Sequence, residues 1–325
     1  MPSTVTHSYF IMDIYDKLPI NRKIFLKDQK DYLKTFAQSM DPLYFYINYN
    51  LKRSKKIRCF AHTFHTEKTD EFIINLINYI KYNYYQNDPQ VMSFLYGIIS
   101  HYVLDSTLHP FICYKTGVFN KNDEKTYIYN GKHHILETSI DRYLIKIKEK
   151  TSPCKYKHYK QIFNGVNYSK NLKEVIDFAF SETYGIDNFS KILIRSTKNM
   201  KHAFKILRYD KYGFKISLYK LIDKITPKKC LNTTFLSYKL KTIDNNYLNQ
   251  NKNEWVYPTN KRKKSNLSFI ELYIYALSDA LNTIKNVDFY IYNNKKTNLN
   301  KLIKNKSYTT GVDLKNNQEM KYFEY

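Results

Sequence analysis

The chain has 325 residues and a mass of 39.2 kDa, and its 53 lysines and arginines against 29 aspartates and glutamates give a formal net charge of +24. A hydrophobic content of 43% excludes a wholly disordered chain, and seven glycines and eight prolines are too few for a collagen-like or many-turned all-β protein. The four cysteines stand far apart without a Cys-x-x-Cys pair, which excludes a disulfide framework and a thiolate zinc site.

Hydrophobic periodicity predicts helices along most of the chain and therefore an all-α fold. The first predicted helix begins near Thr69, its expected N-cap, and the others cover residues 91–108, 133–147, 172–180, 204–207 and 269–284. Pro110 is expected to end the second of these helices. Residues 226–265 are predicted to form a loop, and the last thirty residues are expected to be partly disordered.

Charge and histidine are distributed unevenly between two parts of the chain. Residues 1–150 carry a net charge of +6 and residues 151–325 one of +18, whereas seven of the nine histidines precede residue 135. We therefore expect residues 1–150 to hold the chemical site and residues 151–325 to form a basic helical half packed on the first. A signal peptide is not visible, and no apolar run reaches the ~20 residues of a membrane span, so we expect a soluble, cytoplasmic protein.

A stripe of polar residues interrupts the apolar segment that follows residue 91. His101, Asp105 and His109 are spaced by four residues, and such steps turn a helix by only ~40°, so the three side chains share one face. Burying this stripe is costly unless a partner satisfies it, and a metal ion suits imidazole and carboxylate groups. A single buried histidine is usually only hydrogen-bonded, but three candidate ligands in phase favour a metal site.

A second stripe repeats this spacing at His133, Glu137 and Asp141. His-x-x-x-Glu presents two groups suited to zinc on one helical face. His134 points ~100° away and is expected to be a neighbour, not a ligand. By itself this stripe would fit a solvated amphipathic face, and the first stripe is what favours the metal interpretation.

Weaker candidates lie further towards the N-terminus. They are His7, Asp41 in an Asp-Pro pair, and either His62 or His65. Asp-Pro is also an ordinary turn signal. The His65 side chain would lie in a loop just before the helix predicted at Thr69, from which it could turn inward.

In this order, the blocks resemble the zinc-dependent phospholipase C family. The resemblance covers residues 1–145 and includes the aromatic run at 44–46, the Phe-His-Thr-Glu-Lys block at 64–68 and both stripes. It looks closest to a signal-less bacterial branch that begins Met-Pro-Ala/Ser-Thr and carries Leu-Asp-Ser-Thr-x-His-Pro, here residues 104–110. Beyond residue 145 the resemblance is thinner and rests on residues 254–258 and 268–276.

This resemblance implies a trinuclear zinc cluster in a multi-helix domain of the phospholipase C and zinc nuclease type. One zinc would be held by Asp41, His65, His101 and Asp105, and another by His109, His133 and Glu137. A third would be held by His7, by Asp105 as a bridge, and by the N-terminal amine and carbonyl. Secreted relatives expose an N-terminal Trp there, whereas the only Trp here is Trp255, so we expect two or three zinc ions per chain.

The implied reaction is phosphodiester hydrolysis through in-line attack by a metal-bound hydroxide. Asp41 is the expected catalytic residue that accepts a proton, and Asp141 is expected to orient His133 or hold Arg142 from behind the ligands. The substrate would be a phospholipid or another phosphodiester. Choline-cleaving relatives carry an aromatic residue after the catalytic Asp, where this chain has Pro42, so a choline preference does not carry over.

Three further questions stay open from the residues alone. Single-strand-specific zinc nucleases share this fold and metal arrangement, and the basic runs at 52–56 and 261–264 fit nucleic acid, an anionic membrane surface or a solvated surface. The domain could also be a non-catalytic, metal-stabilised protein that binds a partner through its basic half. The aromatic residues at 44–46 and Phe64 fit either a headgroup pocket or the core.

Overall fold

A computed structural model describes residues 4–207, 209–239, 246–293, 298–316 and 319–324. These residues form α-helices, short 3₁₀ turns and one small antiparallel hairpin, which confirms the predicted all-α class. The helices are α1 (Thr4–Lys17), α2 (Ile20–Phe25), α3 (Lys30–Phe36), α4 (Leu51–Thr66), α5 (Thr69–Tyr82), α6 (Pro89–Thr116), α7 (Lys132–Lys148), α8 (His158–Gln161), α9 (Lys170–Tyr184), α10 (Phe189–Ile206), α11 (Phe214–Ile225), α12 (Phe269–Asn293) and α13 (Leu299–Leu302). The hairpin strands are β1 (Trp255–Tyr257) and β2 (Asn260–Ser265).

Helix α6 is the centre of the fold. Its N-cap is Asp88, whose carboxylate accepts the backbone N–H groups of Gln90 and Val91. Helices α1, α3, α5, α7, α9 and α12 pack around it. At Gly97 the contact with α3 is so close that a Cβ would lie 2.6 Å from the backbone carbon of Phe36. The main core combines side chains from both halves of the chain.

The prediction that Pro110 ends this helix is wrong, because α6 continues to Thr116. Proline has no N–H to donate to the carbonyl of residue i−4, here Ser106. The backbone of Gly311 packs against that carbonyl, and a Cβ at Gly311 would lie only 2.3 Å from its oxygen. The helix therefore passes through Pro110 where a distant segment covers the carbonyl that the proline leaves without a helical donor.

Two other local predictions also need correction. His65 lies in the last turn of α4 and not in a loop, and the next helix has Lys68, in a left-handed conformation, rather than Thr69 as its N-cap. The region predicted as a loop contains the β1–β2 hairpin, whose Trp255 is buried and packs edge-on against Phe111 of α6. Residues 240–245 of that region lie outside the described residues.

The described residues among the last thirty are folded, and residues 296, 297, 317, 318 and 325 of the region expected to be partly disordered lie outside the described residues. Ile303 and Tyr308 have no exposed surface, and the Tyr308 N–H donates a hydrogen bond to the carbonyl of His65 across 2.9 Å. This segment thus covers the same side of α4 and α6 that carries the predicted ligands. No helix in the described ranges is both long enough and apolar enough to cross a bilayer.

Candidate metal centre

The structure brings the eight predicted ligand residues together from five separate segments. Helices contribute most of them, and a 3₁₀ turn after α3, Asp41–Phe45, contributes the remaining one. The residues are His7 on α1, Asp41 on the 3₁₀ turn, His65 on α4, His101, Asp105 and His109 on α6, and His133 and Glu137 on α7. They form three groups, in each of which the ligand atoms lie within 4.8 Å of one another, and two of the groups share His101.

The first group consists of Asp41, His65 and His101, all buried. His65 Nε2 lies 3.4 Å from Asp41 Oδ1 and 3.3 Å from His101 Nε2. Asp105, one helical turn after His101, places Oδ2 3.1 Å from His101 Nε2. Three side chains from three elements therefore converge, and Asp105 adjoins them through His101.

The second group consists of His109, His133 and Glu137, on the facing ends of α6 and α7. Glu137 Oε1 lies 3.4 Å from His109 Nε2 and 3.1 Å from His133 Nε2. Glu137 is buried, whereas both imidazoles are half-buried. This group is accordingly the most accessible of the three.

The third group consists of His7, His101 and Asp105. His7 Nε2 lies 3.0 Å from Asp105 Oδ1, and its ring stacks on that of His101 with centroids 4.2 Å apart. Asp105 Oδ2 also lies 3.7 Å from His109 Nδ1, so this carboxylate reaches three imidazoles. The predicted N-terminal amine and carbonyl ligands lie outside the described residues.

Backbone carbonyls orient three of the imidazoles. His101 Nδ1 lies 2.9 Å from the carbonyl oxygen of Ala37, His65 Nδ1 2.5 Å from that of Ala61, and His109 Nδ1 2.9 Å from that of Tyr308. A carbonyl oxygen can only accept, so each Nδ1 carries the proton. In each ring Nε2 is therefore the atom left to bind a metal ion on loss of its proton, and it points into the groups, as in histidines that bind metals.

The electrostatics of the centre reflect alternating acids and bases. Burial by itself would raise the pKa of Asp105, but His101, His109 and His7 outweigh it and hold that pKa well below its usual range. Burial would likewise lower the pKa of His109, but Asp105 and Glu137 raise it to about 9. Burial would also raise the pKa of Glu137, but His133 and His109 lower it, and the result lies well below the usual range.

The donor atoms fit a divalent metal. Both carboxylate oxygens of Asp41, Oε2 of Glu137 and Nδ1 of His7 are buried, and among the described residues none of them has a hydrogen-bond partner. Buried carboxylate oxygens are costly unless a proton donor or a cation satisfies them. An all-nitrogen and oxygen set without cysteine suits zinc in a hydrolytic site.

The structure separates the remaining histidine candidates. His62 is exposed on α4, so His65 is the member of that pair that faces the centre. His134 packs its ring on Phe235, with centroids 4.7 Å apart, and burial lowers its pKa to about 4. Its Nδ1 lies 3.6 Å from Glu137 Oε2, so it is a neighbour of the second group.

Asp141 is placed beneath α1. Its Oδ1 accepts the N–H and the hydroxyl of Thr6 at 3.0 and 2.9 Å, and its Oδ2 accepts the N–H of Val5 at 3.3 Å and the Tyr238 hydroxyl at 3.1 Å. A carboxylate at a helix N-terminus is favourable because the first N–H groups lack helical partners. Asp141 therefore holds the turn of α1 that carries His7.

Of the four aromatic candidates, Tyr46 and Phe64 are buried in the core, Phe45 is half-buried, and Tyr44 is 36% exposed. Tyr44 lies in the same 3₁₀ turn as Asp41. Burial, followed by the carboxylates of Asp41, Asp105 and Glu137, raises the pKa of its phenol, which stays protonated. Of the four, Tyr44 is therefore the one that is exposed beside Asp41, whereas Tyr46 and Phe64 belong to the core.

Sequence reasoning missed Tyr308. Its ring packs edge-on against His65, with centroids 5.1 Å apart, and its carbonyl holds His109. It is one of 33 tyrosines, and no local pattern marks it. Only its contact with α4 and α6 reveals its role.

Comparison with known proteins identifies the family. A family model described as zinc dependent phospholipase C matches residues 6–187, which is more than half of the chain and includes all eight residues of the centre. No curated protein and no solved structure matches the chain. The chain belongs to the zinc-dependent phospholipase C family.

Proposed function

We propose that this protein is a zinc-dependent phosphoric diester hydrolase that cleaves a phospholipid or another phosphodiester in the manner of a phospholipase C. The observation that carries the proposal is the approach of Asp105 to the imidazoles of His7, His101 and His109 within three neighbouring donor groups. Both oxygens of the neighbouring Asp41 are buried with no hydrogen-bond partner among the described residues. Family membership supports the same conclusion independently. We propose two or three metal sites on these groups.

The residues would divide among the metal ions as follows. Asp41, His65, His101 and Asp105 would hold one ion; His109, His133 and Glu137 would hold a second; His7 and Asp105 would contribute to a third. When bound, zinc ions would neutralise charge on the phosphoryl oxygens and on the leaving alcohol, and would lower the pKa of a coordinated water. The carbonyls of Ala37, Ala61 and Tyr308 keep the imidazoles in the tautomer that such binding needs.

Asp41 is proposed as the residue that accepts a proton. Both of its oxygens are buried without a hydrogen-bond donor among the described residues, so one can face a metal ion while the other is free to accept a proton. As a water oxygen bonds to phosphorus, its proton would pass to Asp41, and the bond from phosphorus to the alcohol oxygen would break. The proton would then be available to the departing alcohol, which balances the hydrolysis.

Tyr44 is proposed to bind the substrate at the entrance. Its partial exposure leaves part of the ring open to a ligand, and its raised pKa keeps the hydroxyl as a donor. A phenol in this position can donate a hydrogen bond to a phosphoryl oxygen. This role requires a tyrosine, so Tyr44→Phe should weaken substrate binding while leaving zinc content unchanged.

The test combines metal analysis with turnover. Protein purified without chelator or histidine tag should carry two or three zinc ions by mass spectrometry and should hydrolyse a soluble chromogenic phosphodiester until a chelator is added. Asp105→Asn should remove at least one zinc and reduce turnover by at least about a hundredfold, because a hydrolytic metal supplies several kcal/mol of charge stabilisation. Asp28→Asn, at an exposed position, is the matched control and should change neither quantity.

Other outcomes would contradict the proposal. Zinc bound without any phosphodiester turnover would indicate a metal-stabilised binding protein. Cleavage of single-stranded DNA in strong preference to phospholipid would indicate a nuclease. A protein without zinc that added zinc cannot restore would end the enzyme interpretation.

A further inference from the structure

Helix α11 exposes its apolar face to solvent. Its exposed apolar residues recur at i, i+4, i+7 and i+11, a spacing that places them within an arc of about 60° on one face. They are Phe214, Leu218, Leu221 and Ile225, which are 78, 54, 58 and 78% exposed. Such a stripe normally faces the core, but here it faces solvent.

The polar side of the same helix is the side that packs on the protein. Asp223, on the face opposite the stripe, accepts the N–H of Thr234 at 2.9 Å and the hydroxyl of Thr233 at 2.9 Å. Tyr219, the buried residue of α11, donates its hydroxyl to the carbonyl of Leu207. These bonds fix the orientation of the helix, so the outward apolar face is a property of the fold.

Lysines surround the apolar stripe. Residues 211–229 contain six lysines and a single acidic residue, Asp223, which is engaged with the protein as described above. The exposed lysines are Lys211, Lys220, Lys224, Lys228 and Lys229. In the described part of the chain none of the five has a carboxylate partner. An apolar face with a lysine border is the composition of helices that lie in the interface of an anionic bilayer.

This helix is fixed beside the candidate metal centre. The 3₁₀ turn Thr234–Leu236 begins with Thr234, which binds Asp223, and its Phe235 packs on the ring of His134. The Phe235 carbonyl accepts the hydroxyl of Thr138 on α7 at 3.2 Å. The segment that holds α11 in place is therefore also in contact with α7, the helix that carries Glu137.

A second exposed apolar segment also borders the centre. It follows Asp41 directly, and its exposed members are Tyr44, Ile47, Tyr49 and Leu51. Exposed basic residues follow it on α4, namely Lys52, Arg53, Lys55 and Lys56. Apolar side chains bordered by positive charge thus recur at a second place next to the centre.

We propose that α11 is an interfacial helix, which binds the surface of an anionic phospholipid bilayer through Phe214, Leu218, Leu221 and Ile225 and so holds the metal centre at that surface. This inference rests on the proposed function, because it names the membrane as the place where the substrate is met. A second copy of the chain fits this face less well. A symmetric contact would bring the same lysine borders of two copies together, and those charges would repel each other.

The test measures binding separately from hydrolysis. Zinc-loaded protein is mixed with phosphatidylcholine vesicles, with or without phosphatidylserine, and the bound fraction is measured by sedimentation. Wild-type protein should bind the vesicles that contain phosphatidylserine, and binding should weaken with salt. The quadruple variant Phe214→Gln, Leu218→Gln, Leu221→Gln and Ile225→Gln should bind at least about tenfold more weakly.

Matched controls separate this proposal from the proposed function. Ile20→Gln with Ile24→Gln, which replaces two exposed residues of α2, should leave vesicle binding unchanged. The quadruple variant should keep its circular dichroism, its zinc content and its turnover of a soluble phosphodiester, because it touches no residue of the centre. If the wild-type protein did not hydrolyse the soluble phosphodiester, the proposed function would be rejected, and the vesicle-binding result would still stand.

Equal vesicle binding by the wild type and the quadruple variant would overturn the inference. A wild-type protein that does not bind anionic vesicles would overturn it as well. A wild-type dimer that the quadruple variant converts to a monomer, with no vesicle binding by either, would assign this face to a second copy and reject the membrane.

Discussion

The imidazole of His109 donates its Nδ1 proton to the carbonyl oxygen of Tyr308 across 2.9 Å, although 199 residues separate the two in the sequence. The same C-terminal segment donates the Tyr308 N–H to the carbonyl of His65. Two candidate ligands on different helices are thus tied to one segment near the end of the chain. Metal affinity should therefore depend on how that segment packs.

Gly311→Ala tests this dependence. Gly311 has a φ of +65°, and a Cβ there would lie 2.3 Å from the Ser106 carbonyl oxygen and 3.0 Å from Pro110. We expect the segment to shift and the free energy of unfolding to fall by about 2–3 kcal/mol, with weaker zinc binding. Urea denaturation and a competition titration with a zinc-sensitive dye measure the two effects.

Gly185→Ala is the matched control for that experiment. Gly185 has the same φ of +65°, but no atom lies within 4 Å of the position of its Cβ. The free energy of unfolding of this variant should fall by only about 1 kcal/mol, because of backbone strain, and its zinc affinity should not change. Equal losses of zinc affinity in both variants would disprove a specific role for the Gly311 contact.

Gly97→Ala tests the contact between α3 and α6. A Cβ would lie 2.6 Å from the Phe36 carbonyl carbon and 2.8 Å from its oxygen, so α3 must move away. The next residue, Ala37, supplies the carbonyl that orients His101, and the variant should therefore lose both stability, by about 1–3 kcal/mol, and zinc affinity. Ser93→Ala, one turn earlier on α6 and also buried, should leave zinc affinity unchanged.

Removal of metal should lower thermal stability. Ligands that bind only the folded state stabilise it by mass action, by about 2.7 kcal/mol when their concentration is a hundred times Kd. Without a cation, both oxygens of Asp41 and Oε2 of Glu137 are buried with no hydrogen-bond partner in the described part of the chain. The melting temperature should fall on addition of a chelator and recover with zinc, and Asp105→Asn should show a smaller fall. A melting temperature that is insensitive to chelator would contradict a metal centre in the folded protein.

Stability at acid pH should depend on Glu271 at the start of α12. Its Oε2 is bonded to Lys252 and accepts the N–H and hydroxyl of Ser268 at 2.9 Å, an arrangement typical of a capping box. Lys252, followed by Ser268, lowers the pKa of Glu271 from 4.5 to about 2. Because the folded pKa is the lower one, this stabilisation is complete above pH 4.5 and is lost as the pH falls towards 2.

The comparison of the wild type with Glu271→Gln isolates the stabilisation by the Glu271 carboxylate, since both proteins share the same metal ligands. The variant should be less stable than the wild type above pH 4.5, and the difference should shrink at lower pH. Urea midpoints across this range measure it. A difference that is independent of pH would show that the carboxylate charge at Glu271 does not contribute.

The phase of the ligands along each helix was predictable from the sequence. Spacing by four residues puts His101, Asp105 and His109 on one face whatever the rest of the chain does, because the helix itself sets that geometry. For the same reason the helical class followed from hydrophobic periodicity. The pairing of the two stripes across α6 and α7 required the fold, since residues on different helices are positioned only by packing.

For helix α11 the same reasoning from spacing predicts the wrong environment. Apolar residues at 214, 218, 221 and 225 follow helical spacing, which by itself favours a buried face. The hydrogen bonds of Asp223 to Thr233 and Thr234 turn that face outward. Periodicity identifies a face but carries no information about which surface covers it.

By itself, the sequence determined the all-α class, the family resemblance and the set of candidate ligands, because these depend on short-range spacing and residue chemistry. Tertiary structure alone decided that His65 rather than His62 faces the centre, that α6 continues through Pro110, and that Tyr308 holds His109. Each of these depends on a contact with a distant segment, and such contacts arise only when the whole chain packs. Local propensity cannot anticipate them, because the free energy that selects them lies in tertiary burial and hydrogen bonding.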